Sequence, residues 1–306
     1  MAVSGDASFR RYYRLDSSNG TCIIMDAPPG YENCESFIKI ADYFSQMNLN
    51  SPRVLAADVD HGFILLTDLG SKLYLSELRN DRSCARKLYG DAISTLVRIQ
   101  QLGTEFQSKL PPYDENLLSF ELSLFHDWFC KKHLAIKFTA SDESQWQECC
   151  RLLIDNAMQQ PKVFVHRDYH SRNLMMIDQN NPGILDFQDA VEGPLTYDLV
   201  SLLKDCYIRW PANQVRAWAL QFYNQLGDEL IEQLDADQFI HYFDLMGVQR
   251  HLKAAGIFAR LKYRDGKSGY MSDVPRTLEY IRTLEPKYNE LSYLMELIIP
   301  ILREKH

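Results

Sequence analysis

Residues 162–190 read KVFVHRDYHSRNLMMIDQNNPGILDFQDA, and they interrupt a chain whose pattern is otherwise helical from Lys72 onward. Short apolar runs alternate here with polar loops, whereas the flanking segments carry apolar residues at the three-to-four-residue spacing of a helix. His166, Arg167 and Asp168 open a polar loop, Asn173 follows five residues after that aspartate, and Asp186 comes thirteen residues after Asn173. The runs LMMI and GIL form the two arms of an expected hairpin that returns Asp186 to the loop bearing Asp168 and Asn173.

Phosphoryl transfer asks a protein for positioning and charge neutralisation rather than covalent chemistry. One carboxylate must accept or orient the proton of the attacking hydroxyl. An amide oxygen and a second carboxylate must hold magnesium, which prefers oxygen ligands in near-octahedral geometry. The spacing therefore predicts Asp168 as the catalytic residue, with Asn173 and Asp186 as metal ligands. A strand-turn-strand with solvated polar residues would have to place these specified residues in order by chance.

With 306 residues the chain can bury a substantial core in two modest lobes. Charged residues make up 24% and hydrophobic ones 46%, an ordinary soluble composition. The net charge of −8 argues against nonspecific nucleic-acid binding, which needs a basic footprint. Seven cysteines without a C-x-x-C pair fit reduced core thiols rather than a disulfide framework or zinc site. The N-terminus has no apolar signal-peptide core, and the longest apolar run, LMELIIPIL, is too short to span a bilayer and contains Pro300. The expectation is a soluble, cytoplasmic protein with no nucleic-acid or membrane partner; nothing in the pattern indicates an oligomeric state.

The first seventy residues are strand-like. SFRRYYRL, the turn DSSNG and TCIIMDA read as a hairpin, and a second hairpin forms from PRVLAADVD and GFILLTDLG around a His61–Gly62 turn. Between them, Phe37, Ile40, Ala41 and Phe44 fall on one helical face. The sheet gives way to helices at DLGSK, which divides the chain into a small lobe over 1–70 and a larger lobe over 71–306.

H-x-D-x-x-x-x-N followed by an Asp-Phe hairpin resembles the motif set shared by protein kinases and the aminoglycoside and choline phosphotransferases. No APE-like segment follows; QDAVEGPLTYDLVSLL runs straight into a helix whose start resembles the DLA type of the small-molecule branch. DASFRRYYRL, IIMDAPP, FILLTDLG and QRHLKAAGIFARLKYRDGKSGYMSDVPRTLEYI extend the resemblance over nearly the whole chain, and narrow it to bacterial anomeric amino-sugar kinases within the aminoglycoside phosphotransferase family. The resemblance implies an α+β, protein-kinase-like two-lobe fold, with a small mixed β-sheet lobe carrying one helix and a mainly helical second lobe. It also implies ATP and Mg2+ as cofactors, and transfer to the C1 hydroxyl of N-acetylmuramate or N-acetylglucosamine in cell-wall sugar recycling. The alternatives are a kinase of the same fold acting on an aminoglycoside, choline or homoserine-like acceptor, and an inactive nucleotide-binding scaffold.

One feature departs from the general kinase pattern. The strand that would end in a phosphate-binding lysine ends instead in Met25 and Asp26. Gly5, Asp6, Ala7 and Ser8 form the expected phosphate loop, with Arg10 or Arg11 supplying the cation. Strand alternation puts these arginines on opposite faces, and both could equally be solvated strand positions. The chain begins close to Gly5, so the lobe is expected to lack a full first strand. By position and resemblance, Thr67, Asp68 and Leu69 form the connector whose backbone meets adenine. His166 is expected to brace the catalytic loop, Asp198 to N-cap the YDLVSLL helix, and Glu35 to lie on the surface. Asp189 and Glu192 either take sugar hydroxyls or are solvated loop acids. Arg250, Lys253, Arg260 and Arg264 fall on one helical stripe, and Arg260, Arg264 and Lys267 either meet the lactyl carboxylate of N-acetylmuramate, which suits a guanidinium fork, or belong with that stripe to a solvated helix face.

Overall fold

The computed structural model describes residues 2–5, 9–17, 20–284 and 287–303. They fall into two compact units, residues 1–111 with 164–191 and residues 112–163 with 192–306. The expected change from sheet to helix near residue 70 occurs inside the first of these.

The first unit is built on an antiparallel sheet of β1 (Ala2–Gly5), β2 (Arg11–Ser17), β3 (Gly20–Asp26), β4 (Val54–Asp58) and β5 (Phe63–Thr67), in the order β1-β2-β3-β5-β4. A four-residue first strand is present after all, with Gly5 opposite Arg11. Helix α1 (Cys34–Gln46) joins the two hairpins, capped by Asn33, whose side chain accepts from the Ser36 N–H. Phe37, Ile40, Ala41 and Phe44 are buried, as their spacing predicts. The register sets Tyr12, Met25 and Ile64 side by side on one sheet face, and Arg11, Asp26 and Phe63 on the other. The first face is the core side: Met25 is 0% exposed and Phe63 47%. At the His61–Gly62 turn the Ala27 N–H donates to the Gly62 carbonyl, and φ there is +77°. A Cβ at Gly62 would stand 2.1 Å from the Ala27 oxygen, so only glycine fits.

Helices α2 (Tyr74–Asn80), α3 (Ala85–Leu102) and α4 (Thr104–Gln107) follow, with Gly103 capping the C-terminus of α3. The chain returns along β6 (Lys162–Val165), forms the short β7 (Leu174–Met175) and β8 (Gly183–Ile184), and leaves along β9 (Val191–Pro194). Strands β7 and β8 pair antiparallel, with Leu174 opposite Ile184, so the expected hairpin is present.

The second unit is helical. Helix α5 (Glu115–Leu124) runs directly into a π-helical stretch, Phe125–His133. It is followed by α6 (Ala140–Met158), α7 (Tyr197–Leu203), α8 (Ala212–Tyr223), α9 (Asp228–Gln233), α10 (Ala236–Asp265), α11 (Val274–Arg282) and α12 (Ser292–Arg303). The 30-residue α10 is the spine of this unit. Its Lys253 ammonium meets the buried Glu121 carboxylate at 2.7 Å and donates to the Tyr197 hydroxyl, while Gln249 donates to the other Glu121 oxygen. The sequence pattern placed Lys253 on a basic stripe; its charge is in fact matched inside the core.

All seven cysteines are free thiols, five of them buried. Among the described residues no helix is long and apolar enough to cross a membrane.

Gly256 lets α10 press against the α5 backbone, where an added Cβ would stand 2.3 Å from the Leu124 carbonyl carbon. Gly256→Ala is expected to cost about 1–3 kcal/mol through overpacking, read as a lowered thermal midpoint; an unchanged midpoint would show that the helices separate freely there.

Candidate active site

The loop between β6 and β7 is held by its own backbone. The His170 N–H donates to the Asp168 carbonyl, the Asn173 N–H to the His170 carbonyl, and the Leu185 N–H to the Asn173 carbonyl at 2.9 Å. That last bond fixes the residue before Asp186 against Asn173. The Asn173 side-chain nitrogen then donates to the Asp168 carbonyl at 3.1 Å and to one Asp186 carboxylate oxygen at 3.3 Å. The three residues singled out by spacing thus converge within one unit.

Two residues of this centre hold left-handed backbone, Arg167 at φ 78° and Asp186 at φ 60°. Such conformations cost energy in a residue with a Cβ and persist where the surroundings over-determine them, commonly at functional sites. Those surroundings are visible. His166 is fully buried, and its Nδ1 accepts from the Asp168 N–H at 3.2 Å. Burial pushes its imidazole down to about 4, so it is neutral at pH 7 and able to accept. Phe187 is 0% exposed and lies against Phe37 and Phe44 of α1, with ring centroids 4.8 and 5.2 Å away. The Asp168 side chain is different. It is 42% exposed, with the His170 Nε2 at 3.9 Å, so a solvent-borne hydroxyl could reach it.

Gln188 completes the centre and was not singled out from the sequence. Its side-chain nitrogen donates to the second Asp186 oxygen at 2.9 Å, and its backbone carbonyl accepts from the Ser36 hydroxyl at 2.8 Å. Its side-chain oxygen is buried with no hydrogen-bond partner. Only its place two residues beyond Asp186 could have flagged it.

These groups suit magnesium. Among the described residues no three His, Cys, Asp or Glu side chains gather as a metal cluster. The donors here are one carboxylate and amide oxygens, the sparse, hard set that magnesium accepts when phosphates and waters complete its shell. Asn173 and Asp186 would hold the ion, and the orphaned Gln188 oxygen is an acceptor ready beside them.

The other expected residues divide. Asp6, Ala7 and Ser8 lie outside the described residues, and Gly5 ends β1. Arg10 is 7% exposed, and its guanidinium meets the Glu32 carboxylate at 2.8 Å; Glu32 also accepts from the Phe9 N–H. Arg11 is exposed on the opposite sheet face and pairs with Asp26 at 2.7 Å. Asp68 takes a two-pronged contact from Arg14, at 2.6 and 2.9 Å, and the Gly70 N–H. Burial alone would raise its carboxyl, but these bonds outweigh it and hold it below the usual range. The Thr67 hydroxyl accepts from the Arg53 N–H, and Leu69 is half-buried. Asp189 and Glu35 are exposed.

In the second unit the carbonyl of Glu192 accepts from the Tyr113 N–H. Asp198 is not the expected N-cap. Helix α7 begins one residue earlier, at Tyr197, with Thr196 in the cap position, so Asp198 lies buried inside the first turn near the positive helix end. Arg264 is exposed and clasped by Asp265. Arg260 is partly buried, which together with the neighbouring Arg264 charge lowers its pKa, and its Nε is buried without a partner. Lys267 is half-buried just past the C-terminus of α10.

Residues 1–236 match the family model described as the APH phosphotransferase enzyme family. An N-acetylmuramate/N-acetylglucosamine kinase of Pseudomonas putida is 44% identical over 97% of this chain and 86% of its own length. The enzyme of that name from Pseudomonas aeruginosa is 42% identical over 97% and 87%. Among solved structures, a Plasmodium vivax ethanolamine kinase superposes with a TM-score of 0.65 at 14% identity, over 100% of this chain and 84% of that one. The ADP-bound aminoglycoside phosphotransferase APH(2'')-Ib gives 0.59 at 12%, over 91% of each. At that distance the likeness shows the fold, which is the protein-kinase-like one expected. The chain belongs to the APH phosphotransferase enzyme family.

Proposed function

We propose that the protein is an ATP-dependent, cytoplasmic sugar kinase that phosphorylates the C1 hydroxyl of N-acetylmuramate or N-acetylglucosamine, in the recovery of cell-wall sugars. The observation that carries the chemistry is the meeting of Asp168, Asn173 and Asp186 around one amide bridge. The acceptor rests on the relatives of that name, which align with this chain over nearly its whole length.

Asp168 accepts the C1 hydroxyl proton as the sugar oxygen bonds to the γ-phosphorus. The bond from that phosphorus to the β,γ-bridging oxygen breaks, and its electron pair leaves with ADP. Magnesium, when bound, neutralises phosphate charge and aligns the transferred group. Asn173 and Asp186 would hold it, with His166 and Asp198 as the supporting residues.

Arg10 is the cation we assign to the nucleotide phosphates in place of the missing lysine. It is buried, and Glu32 holds it. We assign the phosphate loop to Gly5, Asp6, Ala7 and Ser8, the last three outside the described residues, and the contact with adenine to the backbone of Thr67, Asp68 and Leu69. Among the three basic candidates for the lactyl carboxylate, Arg260 is favoured: Arg264 already has Asp265, and burial without an ion pair leaves Arg260 seeking an anion. Asp189 and Glu192 are the proposed partners of sugar hydroxyls.

An ADP-release assay over a panel of acceptors should show turnover with N-acetylmuramate and N-acetylglucosamine, and Asp168→Asn should lower kcat by about 10²–10⁴-fold. Turnover of choline or an aminoglycoside in their place overturns the acceptor, and full activity in Asp168→Asn overturns the mechanism. In Arg10→Gln the KM for ATP should rise about tenfold, the worth of a lost charge-assisted hydrogen bond, and far less in Arg11→Gln. Equal effects, or none, contradict the assignment of Arg10.

A further inference from the structure

We propose that Gln188 is a positioning residue of the metal site, tethered by Ser36 of α1: its amide nitrogen fixes the Asp186 carboxylate, and its amide oxygen accepts a hydrogen bond from a magnesium-bound water. The inference deepens the phosphotransfer reading of this site and rests on it.

Gln188 is 5% exposed. A carboxylate cannot donate, so the 2.9 Å contact with Asp186 assigns the nitrogen to that end and the oxygen to the other. Buried side-chain acceptors are nearly always satisfied, and one left bare beside a metal carboxylate marks a place for a donor the protein does not supply. Water on a divalent cation is such a donor, and magnesium usually keeps several waters when protein-bound.

The tether is equally specific. Three successive residues are held by α1 or through it. Asp186 is aimed by the Gln188 amide, the Phe187 ring is seated on Phe37 and Phe44, and the Gln188 carbonyl takes the Ser36 hydroxyl. Ser36 lies in the first turn of α1, just past the Asn33 cap. A general kinase uses a strand lysine to tie its first helix to the nucleotide site, and this chain has Met25 there. Here the helix reaches the metal carboxylate through a glutamine.

A mere loop brace would affect stability and all ligands alike, so the test reads metal affinity separately from turnover. Mn2+ binding to the full chain in the presence of ADP is followed by electron paramagnetic resonance, and ADP binding without metal by calorimetry. Gln188→Met is nearly isosteric and leaves no polar group buried. It should weaken Mn2+ about tenfold or more, the usual effect of losing a partner behind a metal ligand. Metal-free ADP affinity and the sugar KM should stay within about twofold of wild type, by the same outer-shell logic, and excess Mg2+ should restore much of kcat. Ser36→Ala should shift Mn2+ the same way by less, and it decides the matter should Gln188→Met fail to fold.

Wild-type Mn2+ affinity in either folded variant overturns the inference, as does a parallel fall in metal-free ADP affinity. Absence of ADP-dependent Mn2+ binding in the wild-type chain would instead overturn the phosphotransfer reading beneath it.

Discussion

The Asn173 amide nitrogen reaches both the Asp168 carbonyl and the Asp186 carboxylate, and the first unit is organised so that this bridge can form. Asp168 and Asp186 come from opposite ends of a segment with a hairpin between them. Without the amide, the Asp168 and Asp186 carboxylates would be set by separate loops. With it, movement of one is felt by the other. Left-handed backbone at Arg167 and Asp186 is the cost of presenting these groups, and buried His166 and Phe187 hold it in place.

Helix α1 supplies the rest of that restraint. On its apolar face Phe37 and Phe44 seat Phe187, and Ser36 reaches the Gln188 carbonyl. The same helix is preceded by Glu32, which holds the buried Arg10. With Met25 where a strand lysine would stand, the helix is tied to the Asp186–Gln188 segment directly, through Ser36 and the Phe187 ring.

Much of this was legible in the sequence because it rests on local pattern. The spacing of Phe37, Ile40, Ala41 and Phe44 announced the helix, and alternation along SFRRYYRL put Arg10 and Arg11 on opposite faces. The polar island from His166 to Asp186 announced the site, since its motif is set by chain-local loop geometry. What escaped was set by partners distant in sequence. That Arg10 is buried and Arg11 exposed was not legible, because Glu32, which pairs with Arg10, lies in a turn without periodicity. Lys253 read as surface charge because Glu121, far away on another helix, is silent in the local pattern. The cap expected at Asp198 falls two residues earlier, because Thr196 and Tyr197 begin the helix ahead of it. The first strand was discounted for its length, yet four residues suffice when β2 offers a complete edge.

The most direct measurement is phosphorus NMR of ATP incubated with N-acetylmuramate and Mg2+, using the wild-type chain and Asn173→Ala side by side. Wild type should convert the γ-phosphoryl signal into a sugar phosphomonoester coupled to the C1 proton. Asn173→Ala should form none in the time the wild type consumes its ATP. Conversion at the wild-type rate by Asn173→Ala, or a wild-type product phosphorylated elsewhere on the sugar, would contradict the role assigned to this centre.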